Sequence, residues 1–360
     1  MPPADAEAGQ QSTARSAAAG GMPSFSAAPR LPLEPMDPQL TSIQPGGGWI
    51  IRLELAWGRL RRWYLRTFRS AYVKRMRALR KGDFNGAPHE VLDPRDLKFY
   101  ENQGGYHWDR GDDPFTWRDR LPFVRAGLAE LIVSSVVTFG GAAAAAGAAQ
   151  AMRFTGVLLG AAWLLATALA VIGVLIVWFF RNPRRAVPTE AGLIVSPADG
   201  KLVSIEEIEH DDFIGGPAVV IGIFLSIFNV HVNRSPAAGR VIGLRYRPGK
   251  CLNALRPESA RENEQLAVRL ECDEPPHRRM IVRQITGAIA RRIVCRLKPG
   301  DVLERGEIFG MIKLGSRTEL VLPREAGLKL RAKLGDRVRA GTTILAAYEG
   351  ASGSGSFSAN

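Results

Sequence analysis

The chain is poor in sulfur and in histidine, with 3 cysteines and 5 histidines in 360 residues. Cys251, Cys272 and Cys295 are widely spaced, odd in number and form no CxxC pair. A disulfide framework or a zinc site is therefore not expected, and no metal is assigned. The three read as reduced thiols that pack as small apolar groups, which favours a cytoplasmic face. No GxSxG elbow occurs, so an α/β-hydrolase is a poor fit. Residues 1–48 lack an apolar h-region, so no secretory signal is expected. They are rich in Ala, Pro, Gly, Ser and Gln, a composition that predicts disorder. The tail 351–360, "ASGSGSFSAN", reads the same way. Acidic residues are missing altogether from Arg59 to Lys81, which feeds a formal net charge of +13. Such a basic run suits nucleic acid or an anionic membrane surface, and the remaining residues must decide between them.

What is present begins with helices. Over 49–82, Leu53, Trp57, Leu60, Tyr64, Phe68, Tyr72, Met76 and Leu79 recur at spacings of three and four. Arginine and lysine fill the other faces, as in a basic amphipathic helix lying at a membrane interface. Residues 83–126 are polar, show no period and read as a loop-rich linker, with His89 and His107 as ordinary surface histidines. Residues 127–180 hold two apolar runs. The first contains Glu130; the second, 155–180, has no charge and exceeds the roughly 20 residues that cross a bilayer. Arg181, Arg184 and Arg185 follow at once. Positive residues outside both runs predict a membrane hairpin with its flanking segments cytoplasmic.

From residue 187 to 350 the texture changes to short apolar runs punctuated by Gly, Pro and Asp, the signature of a mostly β domain. The fold class expected is thus α+β: N-terminal membrane-associated helices followed by a mostly β domain. Three local features in that domain could carry chemistry. "SPADGK" holds Asp199 in an Asp-Gly pair, ordinarily a plain turn. "FLSIFNVHVNRSP" holds His231, which strand alternation places on one face with Asn229 and Asn233. "GEIFGMIKLGSRTELVLP" holds Gly315-Ser316, by itself a bend between strands.

Together these supply an acid, an imidazole and a hydroxyl, the set that activates a nucleophile. A glycine directly before the serine points to a particular use. A serine hydroxyl can attack the carbonyl of its own preceding residue, and glycine leaves that approach open and tolerates strained backbone. An N-to-O acyl shift followed by β-elimination cuts the chain, and hydrolysis leaves a pyruvoyl terminus.

The motifs "FFRNPRR", "VSPADGKL", "FLSIFNVHVNRSP", "ENEQ" (Glu262 to Gln265), "IKLGSRTELVLP" and "GDRVRAGTTILA" resemble, in order and spacing, the phosphatidylserine decarboxylases, closest to their short branch. The resemblance runs from about residue 120 to 348. It implies a proenzyme that cuts itself between Gly315 and Ser316, with chains 1–315 and 316–360 remaining associated. It implies His231 as the base, Asp199 as the group that orients it, and Ser316 as the origin of a covalent pyruvoyl cofactor. That group would bind the substrate amine as a Schiff base and accept electrons as CO₂ leaves. It also implies an anionic phospholipid substrate in the inner membrane, with the catalytic domain on the cytoplasmic face, no nucleic acid, and a homodimer left open. Two positions depart from the family pattern. Phe228 stands where long-form members carry a second His, and Asn263-Glu264-Gln265-Leu266 stands for Asn-Glu-Arg-Asn. A competing reading takes the C-terminal strands as a biotinyl or lipoyl carrier barrel with Lys313 as the attachment lysine.

Overall fold

The computed structural model describes residues 30–256, 258–288, 292–313 and 315–349. The expected disorder of residues 1–29 and 351–360 lies outside these. Residues 30–48, assigned by composition to the same arm, run as an extended segment over the β domain. Leu40 is buried in the main core, the Asp37 carboxylate accepts from the Tyr246 N–H at 2.8 Å, and Glu34 pairs with Arg245 and Arg269. A segment without its own apolar period is ordered here by partners far away in the sequence.

Helices α1 (Trp49–Phe68) and α2 (Ser70–Leu79) break at Arg69, whose φ is −129° and ψ 40°. The apolar stripe read from the sequence divides at that break. Tyr72 and Met76 turn inward, where Leu65, Val73 and Leu92 form a small core. Leu53, Trp57, Leu60, Tyr64 and Phe68 face outward and are roughly half exposed. The inner side of α1 is held by charge instead. Arg61 and Arg62 pair with Asp93 and Asp96, both buried, and Tyr72 Oη donates to Asp93 at 3.0 Å. Between residues 80 and 127 the chain makes β1 (Lys81–Asn85), β2 (Gly105–His107) and several single 3₁₀ turns.

Helices α3 (Leu128–Ala151) and α4 (Gly156–Phe179) form an antiparallel pair with mean hydropathy 1.7 and 2.4 over their most apolar windows. Each has 24 residues, about 36 Å of helix, which is long enough to cross a bilayer. Their outer faces are bare: Val157 is 88% exposed and Leu164 73%. The helices close up where α4 carries glycine; a Cβ on Gly173 would meet the Phe139 ring at 2.7 Å. The foot of the hairpin enters the β domain. Phe179 and Phe180 pack with Val230, Val232, Val294 and Met311.

The β domain comprises β3 (Leu193–Val195), β4 (Gly200–Asp211), β5 (Gly216–Leu225), β6 (Val232–Arg234), β7 (Gly239–Arg247), β8 (Gln265–Cys272), β9 (Arg279–Ile285), β10 (Arg292–Cys295), β11 (Val302–Leu303), β12 (Ile308–Lys313), β13 (Ser316–Pro323), β14 (Leu328–Leu330), β15 (Arg337–Val338) and β16 (Ile344–Tyr348). Eight of them form one antiparallel sheet in the order β11-β7-β8-β9-β13-β5-β4-β15. Two three-stranded sheets, β10-β12-β6 and β14-β16-β3, complete the domain. β13 is central, laddered to β5 on one side and β9 on the other. Its alternation sends Ser316, Thr318, Leu320 and Leu322 to one face, where Leu320 and Leu322 join the main core. Arg317, Glu319 and Val321 take the other face.

Candidate active site

Ser316 is the first residue of β13 and pairs with Leu225 of β5. It is fully buried, and its Oγ has no hydrogen-bond partner. A buried hydroxyl without a partner is costly and uncommon, and calls for a reason. The residue before it, Gly315, sits at φ +57°. That left-handed conformation is easy for glycine and strained for other residues. The turn is the point where the chain leaves the small sheet of β12 and enters the large sheet of β13.

His231 lies beside this turn. Its Nε2 accepts the Gly315 N–H at 3.2 Å, and its Nδ1 lies 2.9 Å from the Asn229 carbonyl. The two contacts fix the tautomer: Nδ1 carries the proton and Nε2 presents a lone pair. The His231 backbone is held by Ile312 N–H, which donates to its carbonyl at 3.1 Å. Phe179, the last residue of α4, packs on the ring at 4.4 Å between centroids. Burial lowers the His231 pKa to about 4, the Asn229 carbonyl opposing and the Arg181 charge assisting. The imidazole is therefore neutral and a competent proton acceptor at neutral pH.

Strand alternation around His231 does not survive in detail. β5 ends at Leu225, and residues 226–229 form a turn in which the Asn229 side chain accepts from Ser226 N–H and Oγ–H. Asn229 thus supports His231 through its carbonyl, not from a shared strand face. Asn233 does lie in a strand. Its amide donates to Thr318 Oγ1 at 3.0 Å and accepts from Gln284 Nε2 at 2.9 Å, a buried network one step along β13 from Ser316.

Asp199 is placed elsewhere. Its carboxylate accepts from Arg185 Nη2 at 2.7 Å and from the Ala340 N–H at 2.8 Å. His231 Nδ1 is already taken by Asn229, so the structure brings Ser316, Gly315 and His231 together and ties Asp199 to the segment that follows α4. Lys313 is also unlike a carrier lysine. It is 9% exposed and ion-paired with Glu130, whereas an attachment lysine must reach solvent.

Sequence reasoning missed Gly287. A Cβ there would lie 2.2 Å from the Gly315 carbonyl oxygen, so only glycine allows this approach. The backbone on which it sits is held by Asn263, whose side chain donates to the carbonyls of Thr286 and Leu252 at 2.7 and 2.9 Å. Thr286 N–H in turn donates to the Glu264 carbonyl at 3.0 Å. The "ENEQ" motif was the available signal, and its asparagine supports the wall facing the Gly315 carbonyl.

Comparisons with known proteins give the family. The family model described as phosphatidylserine decarboxylase matches residues 172–346. A phosphatidylserine decarboxylase proenzyme of Rhodopirellula baltica is 54% identical over 254 residues, covering 70% of this chain and 99% of that protein. The chain belongs to the phosphatidylserine decarboxylase family. Proenzymes of the same name from Carboxydothermus hydrogenoformans and Nitrosomonas eutropha are 45% and 40% identical over 175 and 188 residues. These matches cover 49% and 52% of this chain, and 80% and 85% of the relatives. The family is one of decarboxylases, and the α+β architecture, with helices preceding a mostly β domain, is that expected from the sequence.

Proposed function

We propose that the chain is a membrane-associated proenzyme that cuts itself between Gly315 and Ser316 and then decarboxylates phosphatidylserine to phosphatidylethanolamine. The observation that carries this reading is the unpartnered Ser316 Oγ beside a left-handed Gly315 whose N–H meets the lone pair of His231. Ser316 Oγ adds to the Gly315 carbonyl carbon while its proton passes to His231 Nε2. Collapse with cleavage of the C–N bond leaves an ester and a free amine at residue 316. β-Elimination breaks the Cβ–Oγ bond and frees the Gly315 carboxylate. The resulting dehydroalanine takes up one water and releases one ammonia, leaving a pyruvoyl terminus. These features fit a serine that is consumed to make the group: a buried hydroxyl with no other duty, a glycine before it and a neutral base bonded to that glycine's N–H.

The pyruvoyl group supplies the electron sink for decarboxylation. Around it, buried His231 holds a proton-accepting nitrogen, and the Asn233–Thr318–Gln284 network fixes the strand that carries residue 316. Asp199 acts in our reading by holding Arg185, and with it the segment that joins α4 to the site. β13 keeps both its ladders after cleavage, which would retain chain 316–360 on chain 1–315.

Two observations support a bilayer-borne substrate. The exposed faces of α3 and α4 are apolar over their length, and Phe179 at the foot of α4 touches His231, so the site lies where the hairpin meets the domain. The outward Trp57, Leu60 and Phe68 of α1 add an interfacial surface beside it. Arg181, Arg184 and Arg185 at that end favour an anionic headgroup and the cytoplasmic face of the inner membrane. The test is release of CO₂ from vesicles containing carboxyl-labelled phosphatidylserine. The wild-type protein should release it and Ser316→Ala should not; equal release by both would refute the assignment.

A further inference from the structure

Two side chains outside the stretch matched by the family model, 172–346, reach the scissile turn. Glu130, in the first turn of α3, forms an ion pair with Lys313 Nζ, and Gln44 Oε1 of the extended arm accepts from the same ammonium at 3.0 Å. Lys313 is the last residue of β12, two residues before Gly315. Glu130 Oε2 has no other partner, so Lys313 is its only hydrogen-bonded contact among the described residues. Lys98 and Glu54 lie alongside as a second pair, and burial lowers the Lys98 pKa against the pull of Glu54. A carboxylate at this end of an apolar helix has its positive dipole end for support, but burial still demands a cation.

The turn at Gly315 lies between strands of two different sheets, so both of its ends must be set. The downstream end is fixed by the ladder from Ser316 to Leu225. The upstream end is fixed on the backbone by pairing of Lys313 with Arg292 and of Met311 with Val232. Beyond these, the hydrogen-bonded restraint on the Lys313 side chain among the described residues comes from Glu130 and Gln44. A pair that merely anchored the hairpin could sit anywhere along β12. This one sits where a small displacement moves the electrophile.

We propose that Glu130 and Gln44, acting through Lys313, are positioning residues that set the Gly315 carbonyl for attack by Ser316, so that maturation depends on the seating of the first apolar helix. This rests on the self-cleavage reading above. The experiment follows the appearance of chain 316–360 from pulse-labelled full-length protein, synthesised into vesicles of phosphatidylcholine and phosphatidylglycerol. Glu130→Gln and Lys313→Met should each slow the conversion by roughly 10- to 100-fold, the scale expected of sub-ångström to ångström misplacement at a reacting centre. The exchanged pair, Glu130→Lys with Lys313→Glu, should return the rate to within a few-fold of wild type. Thermal unfolding of the same substitutions in a Ser316→Ala background should show a folded protein in every case. Wild-type rates in both single variants, failure of the exchanged pair to recover, or a slowing that only tracks loss of folded protein would overturn the proposal. Cleavage of Ser316→Ala itself would instead overturn the underlying cleavage assignment.

Discussion

The pH dependence of self-cleavage gives the sharpest check on His231. Burial and the Arg181 charge hold its pKa at about 4, against an ordinary value of 6.5. At about pH 5.5 an ordinary imidazole is only about one-tenth neutral, whereas a group titrating near 4 is still about 97% neutral. The cleavage rate should therefore be nearly the same at about pH 5.5 as at neutrality, and should fall about tenfold per unit only below about pH 4. The same shift bears on stability. The unfolded chain takes up the proton near 6.5 and the folded chain resists it, so the stabilising contribution of neutral His231 is complete above 6.5 and is lost as pH falls through about 4. Its size is about 3 kcal/mol, from about 2.5 pKa units at 1.36 kcal/mol each. Pulse-labelled precursor in vesicles, moved to buffers across this range, reports the rate as the fraction converted with time. Arg181→Ala should raise the midpoint by removing the assisting charge. A midpoint near 6.5 in the wild-type protein would show a solvated imidazole and refute the argument from burial.

Gly287→Ala should retain the fold at a cost of about 1–3 kcal/mol for overpacking, yet cleave at least roughly 100-fold more slowly, because its methyl would press on the Gly315 carbonyl; a wild-type rate on a gel would remove Gly287 from the site. Thr318→Val leaves the Asn233 amide donor without its acceptor and should cost about 1–3 kcal/mol, read as a lowered denaturant midpoint in the Ser316→Ala background; an unchanged midpoint would contradict a buried network. Iodoacetamide on the folded protein should modify Cys251, which is partly exposed, and spare Cys272 and Cys295, whose thiol pKa values burial pushes up to about 12; modification of Cys295 without unfolding would contradict its placement.

The parts legible in the sequence were those with local signals. The uncharged run of α4 and the β-strand texture after residue 187 announce the architecture, and Gly315 and His231, singled out by their motifs, meet in the fold. What was not legible depended on partners distant in the chain. The arginines of α1 read as a solvated or lipid-facing side, yet Arg61 and Arg62 turn inward because Asp93 and Asp96 wait some 30 residues later. The arm from residue 30 to 48 lacks any period of its own and is ordered by Tyr246, Arg245 and the core pocket of Leu40. The resemblance implies Asp199 as the group that orients His231, but its oxygens accept from Arg185 and the Ala340 N–H, and His231 Nδ1 meets the Asn229 carbonyl. Gly287 carries no side chain to notice; its importance comes from what a Cβ would strike.

The most direct measurement is the intact mass of the purified protein. Two chains should be found, 1–315 ending in the Gly315 carboxylate and 316–360 beginning with a pyruvoyl group, the latter lighter than its serine-started form by the loss of ammonia from the dehydroalanine route. A single chain of 360 residues with Ser316 unmodified would contradict self-cleavage and, with it, the assignment of the site.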